Sequence, residues 1–171
     1  GCLNSFFIFV SAINGDPYLM LLPLILFWSV DKKKGMTVLG SFGLALFAGL
    51  ILKSMFCVYR PWIQSSRVKP LEEAMRTASG FSFPSGHAVS AGGLYGGLIS
   101  ANREYKGICI FFGFMIFVTI FSRIFMGVHT PQDIIAGAAV GLLSAYIMTL
   151  LLEWADRYKN ADIIVFFAAL I

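Results

Sequence analysis

The chain is short of charge. Of its 171 residues, 13% are Asp, Glu, Lys or Arg, against about a quarter in soluble domains. An ordinary soluble helical bundle needs a polar stripe on each helix, and too few polar residues are present to supply one. Cysteine is scarce as well. Cys2, Cys57 and Cys109 are the three present and form no CxxC, so neither a disulfide framework nor a cysteine metal site is expected. They read as small apolar filler. The net charge of +4 comes with no basic stripe, which excludes a nucleic-acid partner. No signal-peptide pattern is visible. Histidine is the scarcest functional side chain, with two in the whole sequence.

What is abundant is apolar. Hydrophobic residues make up 58% of the chain, with seventeen Phe and seventeen Gly, and the mean hydropathy is +0.80. The expected fold is all-α: a polytopic transmembrane helical bundle of about five to six spans within a single domain, residues 1–171. A span takes about 20 apolar residues. The runs fall roughly at 17–31, 35–56, 85–102, 107–126 and 132–153. Pro23 interrupts the first. Residues 161–171 read as the start of a sixth span, and residues 1–14 as an interfacial or truncated helix. A start at Gly1 instead of Met, and an end at Ile171 inside an apolar run, fit a fragment or a processed form with spans missing at either end.

One connection is long, 57–83, and its charge marks it as exposed to water. Loops of this length are usually functional or hold a helix of their own. Residues 70–78 are the candidate, with Pro70 at the first position. The short basic segments 31–34 and 103–106, together with Arg157 and Lys159, fall on one side if the spans alternate. The positive-inside rule makes that side cytoplasmic. The long loop and the turn at 127–131 then face outward, at the extracytoplasmic face of what is expected to be the cell membrane.

Span counting brings the rare polar residues to that same outward end. Lys53 and Arg60 lie at or just beyond the outer end of the second span, and Ser85, Gly86 and His87 open the third. Arg123 closes the fourth, and His129 and Asp133 flank the start of the fifth. Each residue type suits phosphate chemistry. Arg holds two phosphate oxygens and Lys supplies a compact charge. A helix start at Pro84-Ser85-Gly86 offers free N–H groups to an anion, Ser85 can cap that helix or donate to phosphate, and Gly86 allows close backbone approach. Histidine serves as nucleophile or proton donor near neutral pH. Asp133, four residues after His129, can fix its tautomer and stabilise its charge. Taken singly, each has a plainer reading: an interfacial histidine, a snorkelling cation, a first-turn acid. Two zinc ligands are a further reading, but a third ligand is missing and the cations oppose it.

The pattern Lys53-x6-Arg60-Pro61, Pro84-Ser85-Gly86-His87 and Ser122-Arg123-x5-His129-x3-Asp133 resembles the tripartite signature of the type 2 phosphatidic acid phosphatase superfamily. The resemblance implies a metal-independent, cofactor-free membrane phosphatase acting on a lipid phosphate monoester or a polyprenyl diphosphate. It implies that His129 attacks phosphorus to form a phosphohistidine, assisted by Asp133, and that His87 protonates the leaving oxygen. Lys53, Arg60, Ser85, Gly86 and Arg123 then bind the phosphate, and water cleaves the intermediate. The residues alone leave open which histidine attacks. Members of that family commonly have six spans, so the missing helix is expected at the N-terminus. The same residues would serve a phosphotransferase with a hydroxyl acceptor, or a non-catalytic lipid- or anion-binding protein. A vanadate-dependent haloperoxidase has a related pocket, but such proteins are soluble.

Overall fold

The computed structural model describes residues 2–15, 19, 21–76 and 78–158. All regular structure among them is helical. In chain order the helices are α1 (Cys2–Gly15), α2 (Leu21–Ile25), α3 (Lys32–Phe56), α4 (Pro61–Gln64), α5 (Glu72–Arg76), α6 (Gly86–Ala101), α7 (Lys106–Phe125) and α8 (Pro131–Ala155).

Three runs are long and apolar enough to cross a bilayer: Lys32–Gln64, which holds α3, and the helices α7 and α8. They match the expected spans at 35–56, 107–126 and 132–153 to within a few residues. The other two expected spans hold shorter described helices; residues 17, 18 and 20 of the first lie outside the described residues. Residues 21–30 form α2 and then a π-helical turn, Leu26–Val30, closed by Asp31 N–H donating to the Leu26 carbonyl. Pro23 is tolerated at the third helical position because first-turn amides have no helical acceptor. At 16 residues, α6 rises about 24 Å, less than the roughly 30 Å of a hydrocarbon core. The expected span start at 161–171 lies outside the described residues.

Despite its length, α6 is the centre of the bundle. Ala88, Val89, Ala91, Leu94, Tyr95 and Leu98 are buried on it, and α3, α7 and α8 pack around it. Missing side chains make this possible. A Cβ on Gly141 of α8 would lie 2.5 Å from the Val89 carbonyl oxygen and 2.7 Å from Gly92 Cα. The two backbones therefore touch, in the small-residue packing that apolar helices use where the hydrophobic effect gives no drive. The opposite surface is apolar too. Phe47, Ile110, Phe114 and Leu143 are all more than half exposed, an arrangement that suits lipid and not water.

Caps set the helix limits. Asp31 accepts from Lys34 N–H to start α3, and Cys57, at φ 47°, ends it. A capping box starts α8: Asp133 N–H donates to Thr130 Oγ1 and Thr130 N–H to Asp133 Oδ2. In the long loop the expected helix at 70–78 is shorter, Glu72–Arg76. Pro70 is not its first residue. The Leu71 N–H is instead spent on the Met126 carbonyl at 3.2 Å, which pins the loop to the α7–α8 turn. Ala74, Ala78, Met126 and Val128 form a small core beneath it.

At the other end of the bundle, Lys33 pairs with Asp156, Lys34 with Glu104 and Arg103 with Glu153. The expected basic segments 31–34 and 103–106 thus do share one end, while Lys159 lies outside the described residues.

Candidate active site

All eight residues expected in the site lie at the α3 C-terminal, α6 N-terminal end of the bundle. Lys53 sits in the last turn of α3 and Arg60 just before α4. His87 is the second residue of α6, Arg123 is in the last turn of α7, and Asp133 in the first turn of α8. His129 lies in the turn between those last two helices. Contacts join them across the chain.

The Arg60–His129–Asp133 line is the best determined part. Arg60 Nη1 donates to His129 Nε2 at 2.9 Å. A guanidinium has no acceptor, so Nε2 must carry the lone pair and the ring proton must sit on Nδ1. That nitrogen faces Asp133 Oδ2 at 3.5 Å. The geometry therefore assigns a neutral imidazole whose Nε2 is unprotonated. Burial drives the same outcome, holding the His129 pKa down at about 4. Asp133 pulls it upward, and Arg60 and Arg123 push it lower again. His129 and Asp133 are both buried.

Arg60 is held by main-chain oxygens. Its Nε donates to Gly80 O at 3.0 Å, its Nη2 to Ser79 O at 2.8 Å, and its Nη1 also to Val128 O at 3.2 Å. Those bonds and the one to His129 use four of its five N–H groups. Such carbonyl support lets a guanidinium that is 4% exposed remain charged at tolerable cost.

Other buried donors lack partners. Arg123 is fully buried, and its Nε and Nη2 have no hydrogen-bond partner among the described residues. The same holds for Ser85 Oγ. Ser85 occupies the N-cap position of α6, yet its hydroxyl makes no capping bond; of the two roles the sequence leaves it, the cap is not the one seen. Unsatisfied buried donors are costly, and an anion among them would satisfy all three. Lys53 Nζ lies 3.8 Å from where a Gly86 Cβ would be. Lys53, Gly86 and His87 line one end of a cavity of about 240 Å³ between α3 and α6, whose other walls include Leu46, Leu50 and Val89.

The PAP2 superfamily matches residues 34–157, most of the chain. The chain belongs to the PAP2 superfamily. PAP2 relatives include the undecaprenyl-diphosphatase of Sulfolobus acidocaldarius, 30% identical over 143 residues that cover 81% of this chain and 66% of that protein. Lipid phosphate phosphatase delta of Arabidopsis thaliana is 29% identical over 156 residues, 84% of this chain and 37% of that protein. The chain thus spans about one third to two thirds of the length of these relatives. The fold agrees with the crystal structure of a transmembrane PAP2 type phosphatidylglycerolphosphate phosphatase from Bacillus subtilis. The TM-score is 0.71 at 24% identity, over 92% of this chain and 79% of that one. With its apolar helices, this PAP2 chain is an integral membrane protein.

Two residues at this PAP2 site escape the sequence reading. Ser82 Oγ donates to Asp133 Oδ2 at 2.7 Å and lies 3.5 Å from His129 Nδ1. The Asp133 carboxylate is thus fixed by Ser82, by the Thr130 amide and by the imidazole. Ser11, on α1, is 4% exposed. Its hydroxyl accepts from Arg123 Nη1 and lies 3.4 Å from His87 Nε2. Neither serine stands out by composition or spacing, since α1 is an apolar run and Ser82 lies in a loop already rich in serine.

Proposed function

We infer that the chain forms the catalytic core of a membrane phosphatase. It hydrolyses a lipid phosphate monoester or a polyprenyl diphosphate through a phosphohistidine, without a metal. The observation carrying this reading is the neutral His129, with its Nε2 lone pair held against Arg60 and its Nδ1–H turned to Asp133. A nucleophilic imidazole needs that tautomer.

The steps follow from the donors present. A phosphate oxygen takes the Nη1–H of Arg60, which frees the His129 lone pair. The remaining Arg60 N–H, the unpartnered Arg123 and Ser85 groups and Lys53 hold the other oxygens, with the N–H groups at the start of α6. His129 Nε2 bonds to phosphorus as the leaving oxygen departs and takes a proton from His87. Asp133 stabilises the positive charge that grows on His129. Water then attacks phosphorus, giving its proton back to His87, and releases phosphate and His129. Three cations around the histidines favour an anion over a metal ion.

The cavity between α3 and α6 supports a lipid substrate, because it joins Lys53 and His87 to an apolar wall of Leu46, Leu50 and Val89. The clustering of Lys33, Lys34 and Arg103 at the far end favours an outward-facing site in the cell membrane. His129→Ala should abolish phosphate release from a lipid phosphate in detergent, while EDTA leaves the unmodified protein fully active. Full activity in the variant, or loss in EDTA restored by zinc or magnesium, would overturn the reading.

A further inference from the structure

We propose that Ser11 is a positioning residue for acid–base chemistry at His87, supplied by α1 from outside the three sequence motifs. The inference rests on the proton-donor role given to His87 above. The Ser11 hydroxyl is buried, accepts from Arg123 Nη1 and sits 3.4 Å from His87 Nε2. Aromatic packing anchors α1 in this position. Phe7 packs on Phe125 and Phe121 of α7, with ring centroids 4.5 and 5.7 Å apart.

The chemistry calls for such a group. A proton donor of this kind alternates between a cationic ring, with N–H on both nitrogens, and a neutral ring with one. The nitrogen that does not face the leaving oxygen needs a neighbour that suits both states. A carboxylate would hold the proton too tightly, and a cation would forbid it. Among the described residues, the charged or titratable groups that act on His87 are Arg123 on α7, Arg60 before α4, His129 in the α7–α8 turn and Lys53 across the cavity, none of them an acid. A hydroxyl accepts from Nε2–H in both states, since the neutral ring left after Nδ1 gives up its proton keeps N–H on Nε2, and it brings no charge that would bias either. When the cationic ring gives its Nδ1 proton to the leaving oxygen, Nε2–H stays on Ser11 and the ring becomes neutral. When water attacks the phosphohistidine, Nδ1 takes the proton back. Because Arg123 holds the other side of the Ser11 oxygen, the phosphate-binding guanidinium and the acid stay in fixed register.

The test separates this role from simple packing by the leaving group. Loss of a proton donor hurts a poor alkoxide leaving group far more than an aryl oxide that departs unaided. Purified full chain in detergent is assayed on a long-chain lipid phosphate and on p-nitrophenyl phosphate. Ser11→Ala should lower kcat on the lipid phosphate roughly 10- to 100-fold, a part of the general-acid contribution, and change kcat on the aryl ester less than about 3-fold. Ser11→Thr, which keeps the hydroxyl, should recover most of the loss. Equal falls on both substrates, or no fall on either, would overturn the proposal. If Ser11→Ala does not fold, Ser11→Cys carries the test: its weaker hydrogen bonding should give the same split at smaller amplitude, and unmodified kinetics would overturn it. His87→Ala run alongside isolates the premise. If that variant shows no leaving-group split, His87 is not the acid. If it shows the split and the Ser11 variants do not, the failure belongs to Ser11 alone.

Discussion

Replacing Asp133 with Asn tests the electrostatics of the His129 pair while sparing the fold. Asp133 Oδ2 accepts from Ser82 Oγ at 2.7 Å and from the Thr130 amide at 2.8 Å, and it faces His129 Nδ1 at 3.5 Å. An Asn carbonyl oxygen can keep the Thr130 cap and the Ser82 bond, whereas Ala would forfeit both and cost about 1 kcal/mol of helix stability. What Asn removes is the negative charge. At 3.5 Å and an effective dielectric constant of about 20, a full charge pair is worth about 5 kcal/mol. The imidazole carries only part of a positive charge when phosphorus is attacked, and the amide retains a dipole. A loss of about 3 kcal/mol in transition-state stabilisation is therefore expected, a fall in kcat of about 100-fold. In the proposed mechanism Arg60, Arg123 and Lys53 bind the phosphate, so KM and inhibition by inorganic phosphate should change little. Single-turnover release of phosphate from a lipid phosphate, in detergent at neutral pH, measures the effect directly. Asp133→Asn with kcat within about threefold of the unmodified chain would refute the charge argument.

Other predictions follow from the same contacts. In the proposed mechanism His129 must be neutral to attack, and its pKa lies at about 4, so the acid limb that its protonation imposes on kcat/KM should fall near that value; an acid limb near 6.5 would contradict the buried neutral ring. The same shift affects stability. Between the unfolded value near 6.5 and about 4, the unfolded ring binds a proton that the folded ring does not, so acidification through this window should remove about 3 kcal/mol; His129→Asn should lack this component in thermal unfolding. Arg60→Lys cannot reproduce four N–H bonds to Ser79, Gly80, Val128 and His129, and should lower kcat/KM roughly 100-fold in the phosphate-release assay. Gly141→Ala should cost about 2 kcal/mol or more, since its Cβ would collide with the Val89 carbonyl. Gly113→Ala, with nothing within 4 Å of its new Cβ, should leave the unfolding midpoint unlowered.

The polar half of the site is legible in the sequence for a simple reason. Ionisable side chains are expensive among apolar helices, so those that remain stand out, and parity of the spans puts them at one end. Lys53, Arg60, Ser85, Gly86, His87, Arg123, His129 and Asp133 all sit there. Partners that are cheap to place anywhere are not legible. Ser11 meets His87 and Arg123 across 76 and 112 residues, and nothing in an apolar run announces such a contact. Ser82 is similar, since its value lies in reaching Asp133 from a loop. Hydropathy located α3, α7 and α8, but apolar content alone does not reveal the π-helical turn before Asp31. It also could not show that α6, the shortest of the core helices, is the one the others surround. That follows from which glycines face which backbones, a property of three dimensions. In the long loop, propensity favoured a helix from Pro70, whereas the helix starts at Glu72 and the Leu71 amide ties its entry to Met126.

The carbonyl harness on Arg60 has a consequence for how the outer end of the molecule becomes ordered. Ser79 and Gly80 belong to the long loop, Val128 to the turn between α7 and α8, and one guanidinium ties them together. Neither segment can reach its final shape until Arg60 is seated, and Arg60 cannot be seated until both have arrived. The binding group and the surrounding backbone therefore depend on each other for their shape. A change that displaces either segment also displaces the guanidinium that faces His129.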